Sequence, residues 1–335
     1  MPRPRLLVLP PPSLAAELLA PPVRELLDSF ADWHENPQPR DLTPSELAAL
    51  APAFDGLLTS WGSPPVTLEL LRRAPRLRIV AHAGGTVRSL VGPEVLRVGL
   101  VVTNAASAIA PYVAEVALGL TLAALRRLAD SHLAVREGRW DKLQFQGRSR
   151  SLFGATVGLV GFGHIARSFA RLLLPFGCRL LAYDPHCPPQ AVPPDLPVAL
   201  VSLDRLLAAS RVISLHAPDL PATRGLIGAR ELALMPDGAV LVNTARGALL
   251  DHDALLAQVR SGRLLAALDV TDPEPLPPDH PLRTAPGAII VPHIAGRVHD
   301  QTWRVALTAA ANLAAFFAGQ PPPDLVTPDM LGTMG

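Results

Sequence analysis

The chain is 335 residues long and carries a formal net charge of +1, with 18% charged residues. At ~150 residues per domain, this length suggests about two domains. The balanced charge excludes a basic surface for nucleic acid, and no window approaches the ~18 uninterrupted apolar residues of a membrane span. We therefore expect a globular protein that binds neither nucleic acid nor a membrane.

The first residues imitate a secretory signal because two arginines precede an apolar patch. The patch, Leu6–Leu9, is stopped by Pro10 and is shorter than the ~7 residues that such a signal needs, so it is interpreted as a strand. Cys178 and Cys187 cannot form a disulfide framework, and neither lies in a metal-binding spacing. We predict a cytoplasmic protein without a metal site.

Short strands and helices alternate over the first hundred residues. The predicted strands are Leu6–Leu9, Gly56–Thr59, Arg78–Ala81 and Val101–Thr103. The predicted helices include Pro44–Leu50, which Thr43 can cap, and Leu68–Ala74. This alternation indicates a small α/β layer structure.

A glycine-rich loop, Ala83-Gly84-Gly85-Thr86, follows the third of these strands. Open α/β sheets bind ligands at the carboxyl ends of their strands, and two adjacent glycines expose backbone amides to an anion. The loop by itself is equally consistent with a plain turn.

A long, mostly apolar helix is predicted from Ser107 to Leu128. With so little polar surface this helix must be covered, and a subunit interface is one way to cover it.

The stretch 156–184 carries the strongest motif of the chain. A short apolar strand, Val157–Val160, leads into Gly161-Phe162-Gly163-His164-Ile165-Ala166 and then into a helix. On that helix Ile165, Phe169, Leu172 and Leu173 are predicted to share one face. A second strand, Arg179–Tyr183, ends on Asp184. Strand, glycine turn, helix, strand and acid form the dinucleotide-binding βαβ unit, and an ordinary glycine turn is the alternative.

Each position of this unit has a mechanical reason. Gly161 permits the tight turn, and Gly163 lets backbone amides approach a pyrophosphate at the positive end of the following helix. Asp184 stands near the ~20-residue spacing expected of the acid that binds a ribose hydroxyl. A carboxylate there repels a 2′-phosphate, so NAD is favoured over NADP.

Further strands are predicted at Val212–Leu215, Ala239–Asn243, Leu264–Asp269 and Ile289–Val291, as a doubly wound sheet requires. The last helix, Thr302–Phe317, is expected to cross back onto the N-terminal part.

Three side chains after these strands could carry chemistry: Arg246, Glu274 and His293. Taken singly, each has an ordinary interpretation, as a surface ion pair, a solvated loop acid and a core histidine. Together, a guanidinium that forks onto a carboxylate, an imidazole and a carboxylate are what an alcohol–ketone interconversion beside nicotinamide needs.

The ordered motifs resemble the D-isomer-specific 2-hydroxyacid dehydrogenase family. The matching text is VGLVGFGHIARSFARLLLPFGCRLLAYDP, SLHAP, TRGLIGARELALMPDGAVLVNTARGALLD, ALDVTDPEPLPPDHPL and VPHIAG. The resemblance is close from about residue 75 to about residue 300 and loose before that.

The resemblance implies a role for each matching residue. Arg246 would hold the substrate carboxylate, helped by amides of Gly84, Gly85 and Thr86. His293 would be the acid/base, and Glu274 would bond its other nitrogen, fixing the tautomer and favouring the imidazolium. The implied cofactor residues are Gly161, Phe162, Gly163, His164, Ile165, Asp184, His216, Ala217, Pro218, Thr223, Thr244, Ala245, Asp269, Ala295 and Gly296. Among them Asp269 would orient the nicotinamide carboxamide.

The resemblance also implies two α/β domains with a hinged cleft between them. A Rossmann-type NAD-binding domain is expected over 104–296, and a smaller flavodoxin-like substrate domain over 1–103 and 297–335. A homodimer built through the helix near 107–128 is implied as well. Two positions depart from the family pattern: Arg88 stands where most members carry aspartate, and Thr271 where many carry phenylalanine.

We therefore expect an NAD-dependent D-2-hydroxyacid dehydrogenase that works as a reductase of small 2-keto acids. Because the chain ends at residue 335 without an appended domain, an allosteric phosphoglycerate dehydrogenase is disfavoured. Glu274, rather than a glutamine, argues against the formate dehydrogenase branch. The alternative from another class is an NAD(H)-sensing interaction protein of the same fold, like the co-repressors that share it. No disordered tail or peptide-docking extension favours that alternative.

Overall fold

The computed structural model describes residues 3–334. Its contacts divide them into two compact units: one combines residues 3–109 with 297–334, and the other is residues 110–296. Residues 1, 2 and 335, which the predicted domain ranges include, lie outside the described part of the chain. The assignment of substrate binding to one unit and NAD binding to the other stays a prediction.

Within residues 3–334, twelve strands build two sheets. They are β1 Arg5–Val8, β2 Asp32–Glu35, β3 Gly56–Thr59, β4 Ile79–His82, β5 Val101–Thr103, β6 Thr156–Val160, β7 Arg179–Tyr183, β8 Val198–Leu200, β9 Val212–Leu215, β10 Val240–Asn243, β11 Leu265–Leu268 and β12 Ala288–Ile290.

The α-helices are α1 Pro12–Leu18, α2 Pro21–Phe30, α3 Pro44–Leu50, α4 Leu68–Arg73, α5 Pro93–Arg97, α6 Ala106–Leu125, α7 Leu128–Arg136, α8 Lys142–Arg148, α9 His164–Leu173, α10 Leu203–Ala209, α11 Ala229–Leu234, α12 His252–Arg260, α13 Thr302–Phe317 and α14 Pro328–Thr333. Short 3₁₀ turns lie at Ala51–Ala53, Leu174–Phe176, Pro189–Ala191, Gly247–Leu249 and Pro281–Thr284.

The first unit is built on a five-stranded parallel sheet in the order β2-β1-β3-β4-β5. This is the flavodoxin-like order. Helix α13 packs on α1, α2 and the strands β3 and β4, as expected for the helix predicted at Thr302–Phe317, and the short α14 that follows it was not predicted. The edge strand β2 was not predicted because its sequence, Asp-Trp-His-Glu, is polar and lies half in solvent.

The second unit is built on a seven-stranded parallel sheet in the order β12-β11-β10-β9-β6-β7-β8. The strand order reverses between β6 and β9, which is the switch point of a doubly wound Rossmann sheet. One apolar layer contains Val157, Leu159 and Phe169, and another contains Leu206, Ile213 and Leu241. The two parallel sheets with their helices confirm the predicted α/β, Rossmann-type class.

The inward face of α9 differs from the prediction. Leu172 is 37% exposed, whereas Ala166, Phe169, Ala170 and Leu173 are buried. These four positions follow the i, i+3, i+4, i+7 spacing of one helix face, and Leu172 falls outside that stripe. The face of α9 that is buried is therefore rotated toward Ala166 and Ala170, away from Leu172.

Helix α6 ends at Leu125, three residues before its predicted end, because Arg127 takes a left-handed conformation with φ +55°. The helix is long and apolar enough to cross a membrane, but half of the qualifying window is buried inside the protein. Ala114, Ala117 and Leu125 belong to the apolar layer that also contains Val157. Such burial is typical of a core helix in a globular protein.

Candidate active site

The three chemistry-bearing residues follow three neighbouring strands. β10, β11 and β12 are adjacent and parallel, with Asn243 opposite Leu268 and Leu268 opposite Ile290. Because the carboxyl ends of parallel strands meet at one edge of a sheet, the loops that carry Arg246, Glu274 and His293 leave from the same edge.

His293 and Glu274 form a hydrogen-bonded pair. His293 Nδ1 lies 2.5 Å from Glu274 Oε1, and the two side chains are 47% and 42% exposed. An ionised carboxylate can only accept, so with Glu274 ionised the proton of this bond sits on Nδ1. That assignment leaves Nε2 as the nitrogen available to a reacting group. The core-histidine interpretation of His293 is excluded by this exposure.

The backbone of Arg246 is extended, with φ −145° and ψ 141°. Its Nη1 donates to the carbonyl oxygen of Ala245 at 2.6 Å. Within residues 3–334, no ion pair with a carboxylate involves this guanidinium. Its surface-ion-pair interpretation therefore finds no support among these residues, and the guanidinium remains available for a ligand carboxylate.

Gly247 brings the Arg246 loop against the loop that leads to Glu274. A Cβ built on Gly247 would lie 2.0 Å from the Thr271 carbonyl carbon and 2.5 Å from the Asp272 nitrogen. No side chain fits there, so glycine is required for this close approach. Thr271, the departure from the family pattern, is buried and donates its hydroxyl to the carbonyl oxygen of Pro273 at 2.9 Å.

The predicted dinucleotide turn flanks the switch point. Gly161 has φ +90°, and a Cβ on it would lie 2.7 Å from the Ala217 nitrogen, so the turn after β6 packs directly on the segment after β9. Gly163 faces open space, and no side chain of the described residues caps α9 at its N-terminus. This arrangement leaves backbone N–H groups free for an anion.

Asp184 ties the end of β7 to this turn. Its Oδ2 accepts from the Phe162 amide and its Oδ1 from the His186 amide, each at 2.9 Å. A carboxylate oxygen accepts more than one hydrogen bond, so both oxygens retain capacity for a ribose hydroxyl.

The other predicted cofactor residues follow strands of the same sheet, and they differ in whether their polar groups already have a hydrogen-bond partner. Thr244 Oγ1 is buried and has no partner among residues 3–334, so it could bond a ligand. The Thr223 hydroxyl is already used: it donates to the Pro218 carbonyl at 2.5 Å and accepts from the Leu220 amide at 2.9 Å. The remaining predicted cofactor residues lie in the segments that follow β6, β9, β10 and β12: His164, Ile165, Ala217, Pro218, Ala245, Ala295 and Gly296.

His216 contributes its backbone to this edge, while its ring turns inward. The ring packs on Phe169 with centroids 5.8 Å apart, and both nitrogens are buried without a partner in the described part of the chain. Burial lowers the pKa of the His216 imidazole to about 3, so the ring is neutral at pH 7.

These observations fit a dinucleotide at the second unit. The open approach at Gly163, the uncapped α9, the unpaired Thr244 hydroxyl and the Asp184 carboxylate match the phosphate, ribose and amide groups of NAD in kind.

The predicted substrate loop, Gly84 to Thr86, belongs to the first unit and follows β4. Sequence reasoning missed His82, which closes that strand and is buried with Nδ1 3.0 Å from Thr59 Oγ1. Its Nε2 lies so close beneath Gly84 that a Cβ there would come within 2.2 Å. Burial lowers the pKa of His82 to about 4. A polar residue at the end of an apolar strand, two positions before Gly84, was the available signal.

Comparison with known proteins decides the family. The sequence model of the D-isomer specific 2-hydroxyacid dehydrogenase NAD binding domain matches residues 118–295. The chain belongs to the D-isomer-specific 2-hydroxyacid dehydrogenase family. This membership confirms the resemblance inferred from the motifs, and with it an NAD-binding oxidoreductase.

Several relatives extend the match beyond that domain. The chain is 37% identical to a hydroxypyruvate reductase of Thermotoga maritima over 79% of this chain and 86% of the relative. It is 35% identical to a glyoxylate reductase of Aeropyrum pernix over 93% and 94% of the two chains. A phosphoglycerate oxidoreductase from Rhizobium etli has a similar structure, with a TM-score of 0.81, 28% identity and coverage of 97% and 98%.

Proposed function

We propose that this member of the D-isomer-specific 2-hydroxyacid dehydrogenases reduces small 2-keto acids with NADH and oxidises the corresponding D-2-hydroxy acids with NAD. The observation that carries the proposal is the 2.5 Å bond between His293 and Glu274 at the sheet edge from which the Arg246 loop also leaves. The names of the relatives, hydroxypyruvate reductase and glyoxylate reductase, support this substrate class.

Each side chain has a separate task in the proposed mechanism. Arg246 holds the substrate carboxylate in two parallel charge-assisted bonds. His293 gives a proton from Nε2 to the carbonyl oxygen during reduction and takes it back during oxidation. Glu274 keeps the proton on Nδ1 and so orients the ring. When bound, the nicotinamide cofactor supplies or accepts the hydride. The amides of Gly84, Gly85 and Thr86 remain predicted carboxylate contacts.

The cofactor is proposed to be NAD rather than NADP. Asp184 bonds the glycine turn and has the spacing expected of the acid that binds a ribose hydroxyl, and a carboxylate in that role would repel the 2′-phosphate of NADP. Both cysteines are free, which suits the reducing cytoplasm that we propose for this chain.

A homodimer is proposed as the working form. Trp140 and Leu143 are more than 80% exposed near α8, and Phe153 is 69% exposed in the same unit. Large apolar side chains in solvent favour a subunit contact. Light scattering after size-exclusion chromatography tests this proposal: a monomer mass at micromolar concentration would contradict it.

The enzymatic proposal is tested by following NADH absorbance with a panel of 2-keto acids that includes glyoxylate and hydroxypyruvate. We expect turnover with at least one of them, and the D configuration wherever the product is chiral, as it is for hydroxypyruvate. Tight NADH binding without turnover on any of them would favour the NAD(H)-sensing alternative instead.

A further inference from the structure

Two adjacent strands of the second unit end in buried polar residues. Asn243 closes β10 and Asp269 follows β11; they are 0% and 1% exposed. The Asp269 amide donates to the Asn243 carbonyl at 2.9 Å, so the two residues are neighbours. Burying an amide and a carboxylate is unfavourable unless their polar atoms are hydrogen-bonded. The partners that they find are therefore informative.

The side chain of Asn243 brackets the peptide segment that presents Arg246. Its Oδ1 accepts from the Ala245 amide at 3.0 Å, and its Nδ2 donates to the Arg246 carbonyl at 2.9 Å. The two bonds fasten the backbone on both sides of the Ala245–Arg246 peptide. They fix the backbone position from which the Arg246 side chain extends.

Asp269 does the same for His293. Its carbonyl accepts from the His293 amide at 2.9 Å, its Oδ1 from the Ile294 amide at 2.8 Å and its Oδ2 from the Ala295 amide at 3.2 Å. One residue thus holds three consecutive amides.

The bonds from Asp269 act where the backbone is least favourable. His293 has φ +52°, a left-handed conformation that is unfavourable for a residue with a Cβ. Such a conformation persists only when its surroundings over-determine it. Charge-assisted bonds to the two amides after His293 supply that constraint.

We infer that Asn243 and Asp269 are a pair of positioning residues: Asn243 fixes the carboxylate anchor Arg246, and Asp269 fixes the acid/base His293. The inference rests on the proposed function for the roles of Arg246 and His293. It adds a role to the predicted contact of Asp269 with the nicotinamide carboxamide: each Asp269 oxygen accepts from a backbone amide of the protein itself, and a carboxylate oxygen can accept a second bond.

The first test needs no activity. Hydrogen exchange is measured on the intact, cofactor-free protein for the wild type, Asp269→Asn and Asn243→Ser. In Asp269→Asn, an amide group replaces one acceptor and faces a backbone N–H, so the amides of Ile294 and Ala295 should exchange at least tenfold faster. In Asn243→Ser, the Ala245 amide should do so. Unchanged exchange at these amides would overturn the inference.

The second test is kinetic and separates the two members of the pair. Asp269→Asn should lower kcat by about tenfold to a hundredfold and alter its pH profile, since small misplacements of a reacting group have effects of this size. Asn243→Ser should instead raise the KM for the 2-keto acid by about tenfold. Asn243→Ser should keep the NADH dissociation constant of the wild type, and the kcat of Asp269→Asn is measured at saturating NADH. A kcat loss in Asp269→Asn that saturating NADH abolishes would overturn the inference in favour of a cofactor role alone for Asp269.

Matched controls exist elsewhere in the chain. Asn312 is buried in the first unit, where its Oδ1 accepts from the Asp324 amide and its Nδ2 donates to the Thr308 carbonyl. Asp130 accepts from the Gly287 amide in the second unit. Asn312→Ser and Asp130→Asn should lower the free energy of unfolding but should show neither the kcat loss expected of Asp269→Asn nor the KM increase expected of Asn243→Ser. If the controls show the same kcat loss and KM increase, the positioning role is contradicted.

The two failures can be told apart. A wild type that turns over no 2-keto acid refutes the proposed function, whereas the exchange measurement still decides whether Asp269 and Asn243 hold their loops. An active wild type with variants indistinguishable from the controls refutes the pair alone. Combining Asp269→Asn with His293→Ala sharpens the result, because Asp269→Asn should then have little further effect on kcat.

Discussion

Two histidines at the same sheet edge have opposite surroundings. His293, after β12, is half exposed and bonded to Glu274, whereas the ring nitrogens of His216, after β9, are buried and unpaired among the described residues. His216 is neutral at pH 7 because burial disfavours the charged ring. The difference shows that a strand end by itself does not make a histidine an acid/base. The acid/base role proposed for His293 depends instead on its carboxylate partner and on its exposure.

The largest effect on kcat is expected from substitution of His293, the exposed histidine of the two. His293→Ala should lower kcat by ~10²–10⁴, the usual contribution of a positioned acid/base. NADH binding should be retained. His132→Asn, at an exposed histidine of α7, is the matched control and should leave kcat unchanged. A loss below tenfold would remove His293 from the proton transfer.

The next effect concerns Arg246, the proposed carboxylate anchor. Arg246→Lys keeps the charge but loses the planar fork, and we expect the KM for 2-keto acids to rise by about tenfold to a hundredfold. Steady-state kinetics measure it. Arg171→Lys, a surface arginine paired with Asp195, is the control. An unaltered KM would remove Arg246 from the carboxylate site.

A smaller change is expected in cofactor choice. Asp184→Ser removes the carboxylate that disfavours a 2′-phosphate, so the ratio of kcat/KM for NADH to that for NADPH should fall by about tenfold. The substitution also removes acceptors of the Phe162 and His186 amides. Thermal unfolding should therefore be recorded beside the kinetics. A constant ratio would contradict the ribose role of Asp184.

The smallest effect concerns His216 and stability. Its pKa is about 3 in the folded chain and 6.5 unfolded, so between these values the unfolded chain binds the extra proton. The contribution is fully present above pH 6.5 and is lost as the pH falls toward 3, by up to ~1.4 kcal/mol per pH unit. His216→Leu should flatten the fall in unfolding free energy between pH 6.5 and 5, measured in urea. His132→Asn is again the control, and equal slopes for wild type and His216→Leu would contradict the prediction.

Much of the second unit was predictable from short stretches. The strands Arg179–Tyr183 and Val212–Leu215 have the bounds that the sequence predicted, because each is an apolar run between polar residues or turns. The glycine turn at 161–163 was predictable for the same local reason. The exposure of Leu172 was not predictable, because the spacing of apolar residues does not say which part of a helix face is covered by the rest of the protein. The polar edge strand β2 has no apolar pattern to detect.

The sequence by itself determined the residue types and their order after each strand: the fingerprint of the family, Arg246, Glu274 and His293, and the acid at 184. Tertiary structure alone decided which polar groups are paired. The Glu274–His293 bond, the close approach at Gly247, the inward ring of His216 and the amides held by Asn243 and Asp269 all join segments that are separate in the chain or depend on burial. The physical reason is that hydrogen bonding and desolvation act through space, whereas a sequence pattern reports only neighbours along the chain.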